Sequence, residues 1–216
     1  LKMEFQYAEK YQNEGGVDYI DAILGPFTGR IITPCATVDF VGLDVHRAIV
    51  DNLYLNTTDD KNGTFKLPEY IKKLISQGKL GKKTGSGLFK TVIADDDRKY
   101  KYVFDIKTNK YVLLREYDIS FANKMNSLLR NGDYDKAFYF LREDNSKEAM
   151  ICKEFLKSYI DYSIFVGREV GEDVSSVEDA MATGFNWCPP LALSNVLFGT
   201  NYSTKYDYRS FFKVVK

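Results

Sequence analysis

The stretch whose reading decides the fold is "DAILGPFTGRIITPCATVDFVGLDVHRAIVDNLY", Asp21–Tyr54. It opens with turn formers, crosses a Gly/Pro-studded loop and ends in an amphipathic run. A second stretch, "DAMATGFNWCPPLALSNVLFG", Asp179–Gly199, has the same rhythm. In the first, Asp21 precedes Gly25; in the second, Asp179 precedes Gly184. Pro34 lies five residues before Asp39, and Pro190 five before Asn195. Gly42 follows one, Gly199 the other. A proline-led helix after a glycine-rich loop is sharply positioned, because both ends of the connection are constrained. Asp39 and Asn195 are expected in the first turns of their helices, satisfying free N–H groups there. His46, the single histidine, is expected on a solvent-facing helix edge. The spacing between copies is too long for a solenoid repeat and fits two duplicated domains.

The rest of the chain agrees with a soluble, mainly helical protein. Its 216 residues suffice for one large domain or two small ones. Hydrophobic residues make up 44% and charged residues 28%, and the formal charge is zero, so no basic excess points to nucleic acid. No run of about 18 apolar residues points to a membrane span. Cys35, Cys152 and Cys188 are widely spaced and form no C-x-x-C. They are expected as reduced, buried thiols, which points to the cytoplasm. Leu1 is followed at once by a helix-like pattern (Met3, Phe5, Tyr7, Ala8, Tyr11), the start expected of a piece cut from a longer protein.

Periodicity and punctuation predict the elements. Helices are expected over Glu4–Asn13 and Val17–Leu24. Val41, Val45, Ala48, Ile49 and Leu53 predict a helix with one buried face. Leu67, Tyr70, Ile71, Leu74 and Ile75 predict another, closed by Gly78. From Ser86 to Leu114 the sequence is rich in Val, Ile, Tyr and Phe, with turns at Asp95-Asp96-Asp97 and Thr108-Asn109, a small β meander. Helical spacing returns over Ile119–Arg130, Tyr134–Leu141 and Ser146–Val170. A short helix capped by Ser175 or Ser176 and another from Pro189-Pro190 to Phe198 complete the set.

"GPF…DFVGLDVHRAIVDNLY", followed by "LPEYIKKLISQGKLGKKTGSGLFK", resembles the C-terminal domain of the 3-hydroxyacyl-CoA dehydrogenases. The matching residues are Gly25-Pro26-Phe27, Asp39–Asp44 and, most specific, Gly78–Phe89. The second stretch resembles a weaker copy in tandem. The resemblance implies a mainly α fold, the 6-phosphogluconate dehydrogenase C-terminal-like helical domain, duplicated, with a small β meander near 86–114. It divides the chain into domains 1–116 and 117–216. There are departures: eleven residues, Thr28–Val38, separate Gly-Pro-Phe from Asp39, Pro189-Pro190 replaces Gly-Pro, and Asn195 replaces Asp.

The family oxidises (S)-3-hydroxyacyl-CoA to 3-oxoacyl-CoA in fatty-acid or butanoate metabolism, with NAD held on an N-terminal Rossmann domain by a G-x-G-x-x-G turn. No such turn occurs in this sequence, and the family's catalytic His–Glu pair belongs to that other domain. The resemblance thus implies a substrate-binding and dimerisation region, inactive alone, with acyl-CoA, its own Rossmann domain and a second copy as partners. No residue here is assigned a catalytic or metal-binding role. Lys79, Lys82 and Lys83 are the candidate contacts to the phosphates of CoA; a solvated basic turn is the alternative reading. The alternatives for the whole chain are a non-catalytic helical interaction module and the helical domain of a related hydroxy-acid dehydrogenase.

Overall fold

The computed structural model describes residues 3–30, 32–57, 62–171 and 173–212. The chain is mainly helical, with one small antiparallel sheet. It forms two compact units. The first is Leu1–Ala22 with Thr33–Tyr117; the second is Ile23–Ile32 with Asp118–Lys216. The units are therefore not contiguous in sequence: residues 23–32, placed by the sequence reading within 1–116, belong to the second unit.

In the first unit, α1 spans Glu4–Lys10 and stops short of the expected Asn13, because Tyr11 leaves helical geometry. The chain turns through Gly15 and Gly16, both at positive φ, into α2, Val17–Ile23. The expected amphipathic run after Pro34 is two helices. α3, Pro34–Val41, starts on its proline, and Gly42 at φ 112° breaks it from α4, Leu43–Asn56. The expected buried stripe of α4 is corrected. Val41, Val45 and Ile49 are 46%, 41% and 53% exposed, and the buried residues are Leu43, His46 and Val50. Both sets fit helical spacing, so periodicity alone could not choose the inward face. α5, Glu69–Ser76, buries Tyr70, Ile71 and Leu74 as expected, and Gly78 follows at φ 71°.

The meander consists of β1 (Phe89–Ile93), β2 (Lys99–Asp105) and β3 (Lys110–Leu113), paired antiparallel in the order β1-β2-β3. Phe89 faces Val103, and Val103 faces Val112. Asp97 and Asn109 take positive φ in the two predicted turns. Arg115 anchors the exit of the sheet. Its guanidinium reaches Asp105, the Asp18 carboxylate at 3.0 Å and the Gly15 carbonyl at 2.9 Å. The Tyr117 hydroxyl donates to the same Asp18 at 2.9 Å. The meander is thereby tied to the first turn of α2.

In the second unit, α6 is Ser120–Arg130, α7 Tyr134–Glu143 and α8 Lys147–Val170. Ser146 caps α8, its hydroxyl accepting from the Ala149 N–H at 3.3 Å. α9, Ser175–Asp179, is not capped by its serines. The Asp173 carboxylate accepts from the Ser175 and Ser176 N–H groups instead. The chain continues through a π turn, Ala180–Gly184, to α10, Pro190–Phe198. Phe121, Met125, Leu129, Phe138, Leu156, Leu193 and Phe212 are among the buried residues of this unit. The Phe138 and Phe212 rings meet edge to face at 4.7 Å, a favourable aromatic geometry.

Candidate functional site

The two proline-led helices carry the same clasp. A buried carboxylate lies thirteen residues before Pro34 and twelve before Pro190. Asp21 accepts from the Thr33 hydroxyl at 2.7 Å and from the Cys35 and Ala36 N–H groups at 2.8 and 3.0 Å. Glu178 accepts from the Leu191 and Ala192 N–H groups at 2.8 and 3.1 Å, and its second oxygen accepts from Thr204. In both, the acid satisfies free amides in the first turn after the proline. The counterpart of Asp21 is thus Glu178, not Asp179, which pairs instead with Lys205 and Tyr206. Burial raises the Asp21 carboxyl to a pKa of about 6 against the pull of its hydrogen bonds.

Five residues after each proline stands a second clasp. Asp39 and Asn195 are not in the first turns of their helices and do not cap them. Asp39 accepts from the Leu88 N–H, 49 residues on, and from the Phe89 N–H. Asn195 accepts from the Tyr202 N–H at 2.8 Å and donates to the Tyr202 carbonyl at 2.9 Å, seven residues on. Gly42 and Gly199 end the two helices. The stretch after Pro190 therefore repeats the helix and both clasps but passes straight from Gly199 to the clasped segment at Tyr202, with no counterpart of α4 and α5 between them.

The Asp39 clasp holds the glycine loop Gly78–Phe89. A Cβ on Gly87 would lie 2.2 Å from Asp39 Oδ1 and 2.4 Å from Gly81 Cα, and one on Gly81 only 2.1 Å from the Asp39 carbonyl oxygen. These positions admit no side chain, which is why glycine recurs there. Burial raises the Asp39 carboxyl to about 6. Tyr111 of β3 donates to the Gly87 carbonyl at 2.6 Å and pins the other side of the loop.

Of the candidate lysines, Lys79 lies over the Tyr111 ring at 5.3 Å and donates to Gln77 at 2.8 Å. Lys82 lies over Phe40 at 5.1 Å. Lys83 pairs with Asp44 at 2.6 Å, and this hydrogen bond holds the Asp44 carboxyl below its usual range. Among the described residues, Lys79 and Lys82 make no ion pair, whereas Lys83 is neutralised. Sequence reasoning missed Tyr111 and Glu178. Glu178 was legible as an acid at nearly the Asp21–Pro34 spacing; Tyr111 depends on the sheet register.

His46 is corrected. It is only 7% exposed, edge-on to Phe5 at 5.1 Å, and its Nε2 has no hydrogen-bond partner among the described residues. Burial depresses its pKa to about 4, so it is neutral near pH 7. The expected Gly25-Pro26-Phe27 landmark is likewise displaced. It lies in the second unit's segment, and Pro34 starts the helix that carries Asp39.

Residues 6–91 match the sequence model of the 3-hydroxyacyl-CoA dehydrogenase, C-terminal domain. The similarity is to that one domain of the family and covers this stretch alone. Over 177 residues, 79% of its length, the chain is 25% identical to a probable 3-hydroxyacyl-CoA dehydrogenase of Bacillus subtilis (strain 168). Over 71 residues, 33% of the chain, it is 34% identical to the mitochondrial hydroxyacyl-coenzyme A dehydrogenase of Sus scrofa. The aligned parts span 21% and 22% of those relatives, about a fifth of their length. No solved structure matches. The family-matched stretch contains both clasp acids, Asp21 and Asp39, and the glycine loop.

Within the loop, Gly81 and Gly87 face Asp39 and each other, whereas Gly78 and Gly85 face open space, and the loop leads into a strand and not a helix N-terminus. No group of three or more metal-ligating side chains occurs among the described residues, and none of their helices is long and apolar enough to cross a membrane.

Proposed function

We propose that this chain is the helical, substrate-side region of an NAD-dependent 3-hydroxyacyl-CoA dehydrogenase, oxidising (S)-3-hydroxyacyl-CoA to 3-oxoacyl-CoA in fatty-acid or butanoate metabolism. The observation that carries this reading is the glycine loop seated on Asp39 within the family-matched stretch 6–91. NAD and the proton-transfer residues belong, on this reading, to a Rossmann domain of the same protein. Residues 117–216 are then a second, degenerate copy, supported by the repeated clasps. The three cysteines are free and buried, which supports a reducing compartment such as the cytoplasm.

Lys79 and Lys82 are the proposed contacts to CoA phosphates, and Lys83 contributes less because Asp44 neutralises it. Calorimetric titration with a 3-oxoacyl-CoA tests this. Lys79→Gln and Lys82→Gln should each weaken binding several-fold, and Lys83→Gln less. Equal affinity in all three variants removes the lysines from the site. The 216-residue chain should produce no NADH from a 3-hydroxyacyl-CoA and NAD, and the complete polypeptide should. NADH production by the chain alone, or none by the complete protein, overturns the reading.

The exposed apolar stripe of α4 favours a second reading, a helical interaction module. Binding of an unrelated partner through that stripe, with no response to any acyl-CoA, would establish it instead.

A further inference from the structure

Residues 23–32 leave the first unit and return to it. The base of this excursion is closed by Asp21, which binds Thr33, Cys35 and Ala36. Its middle is part of the second unit. A ten-residue connection between helices ordinarily runs over the surface. This one does not. Leu24, Phe27, Thr28 and Arg30 are all 5% exposed or less. The Phe27 ring meets Phe121 of α6 edge to face at 5.7 Å. The Gly29 carbonyl accepts from the Cys188 N–H at 3.0 Å. A Cβ on Gly29 would lie 2.6 Å from Cys188 Cβ and 3.0 Å from the Phe212 ring, at a φ of 83°. The Arg30 guanidinium lies 4.2 Å from the centre of the Trp187 ring and 5.1 Å from that of Phe155. Arginine is rarely so buried without a dedicated site.

The counterpart connection in the second copy runs from Glu178 to Pro190 and stays within its own unit. Cys188 and Trp187, which receive the excursion, belong to it. The exchange is therefore one-way: one copy gives its loop, and the other keeps its own beside it.

We propose that residues 23–30 are a strap, running between α2 and α3, that fills a groove lined by Phe121, Phe155, Trp187, Cys188 and Phe212. The groove's occupant is this segment of the same chain. The second unit is incomplete without the strap, independently of any catalytic role. Segment exchange is a known low-cost route to joining like domains.

The test uses the full chain with a site-specific protease sequence inserted between Tyr117 and Asp118. After native cleavage, the two pieces should co-elute in size exclusion, and excess synthetic peptide covering residues 23–30 should release them. Arg30→Met removes the stacked cation while keeping an apolar side chain of similar length. It should raise the dissociation constant between the pieces at least about fivefold, or roughly 1 kcal/mol. Gly29→Ala should act in the same direction and more strongly; if that chain does not fold, Arg30→Met and the peptide decide. Separation of the unsubstituted pieces on cleavage, an Arg30→Met effect below that threshold, or pieces indifferent to the peptide would each overturn the proposal.

Discussion

Asp39 and Asn195 do the same work with different chemistry, and the difference is testable. The Asp39 carboxyl, raised by burial to about 6, is favoured in its neutral form. Its folded pKa exceeds its unfolded value. Its contribution is therefore present below pH 4 and lost as pH rises through 6. Asp39→Asn keeps an acceptor for the Leu88 N–H and removes the buried charge. At pH 7.5 it should be more stable than the parent by roughly 1–3 kcal/mol in urea unfolding, with the gain vanishing only below about pH 4. The reverse change, Asn195→Asp, removes the donor to the Tyr202 carbonyl and places a charge against it. It should cost about 1–3 kcal/mol at pH 7.5. His46 runs the opposite way. Its pKa falls to about 4, below the unfolded value, so stability is lost as pH falls from 6.5 to 4. Because Nε2 has no partner among the described residues, His46→Leu should be neutral or mildly stabilising at pH 7.5. Its advantage should grow by about 2–3 kcal/mol at pH 4.5. An advantage independent of pH would show that the imidazole is solvated.

At the scale of elements, the meander hangs on one residue. Arg115 neutralises both Asp18, at the start of α2, and Asp105, at the end of β2. Arg115→Met leaves two carboxylates without their cation. Since the guanidinium side chain is 31% exposed, water screens part of the loss, and the cost should be about 2 kcal/mol and not the full value of a buried pair. Hydrogen exchange should localise it, with β2 and β3 amides exchanging faster and α6–α8 amides unchanged. The meander and its turns were legible in the sequence because Asp97 and Asn109 are among the side chains that tolerate positive φ. Helices α5 to α8 were legible for the same kind of local reason, their periodicity and their glycine or serine punctuation. What local pattern could not give was anything set by a distant partner. The inward face of α4 is chosen between two stripes that both fit a helix, and the side carrying His46 is the buried one. The cap of α9 comes from Asp173, two residues upstream of the serines that look like caps. The clasp from Asp39 to Leu88 spans 49 residues, so no local pattern joins its ends. The departure of residues 23–32 to the second unit leaves no local trace except an arginine amid apolar neighbours.

For the whole molecule, surface composition governs behaviour in solution. Thirty basic and thirty acidic residues give a pI near 6.8, so charge repulsion between molecules is weakest close to neutral pH. The same surface carries a stripe along α3 and α4. Phe40, Val41, Val45, Ile49 and Leu55 are 59%, 46%, 41%, 53% and 78% exposed. Two of them, Val45 and Ile49, lie a four-residue step apart on one face of α4, and Val41 ends α3 just before it. An exposed apolar stripe on a molecule without net charge promotes association. The chain in dilute buffer should therefore self-associate most strongly near pH 7, and sedimentation velocity should show a mean mass that falls on moving to pH 9. Val45→Glu with Ile49→Glu adds two negative charges and interrupts the stripe. Because both positions are exposed, the thermal midpoint should change little. The double variant should sediment as a monomer at pH 7, where the parent does not. If both associate equally, the stripe is not the adhesive surface, and contacts must be sought elsewhere. If the parent is monomeric throughout, the stripe is too weak to hold a second copy.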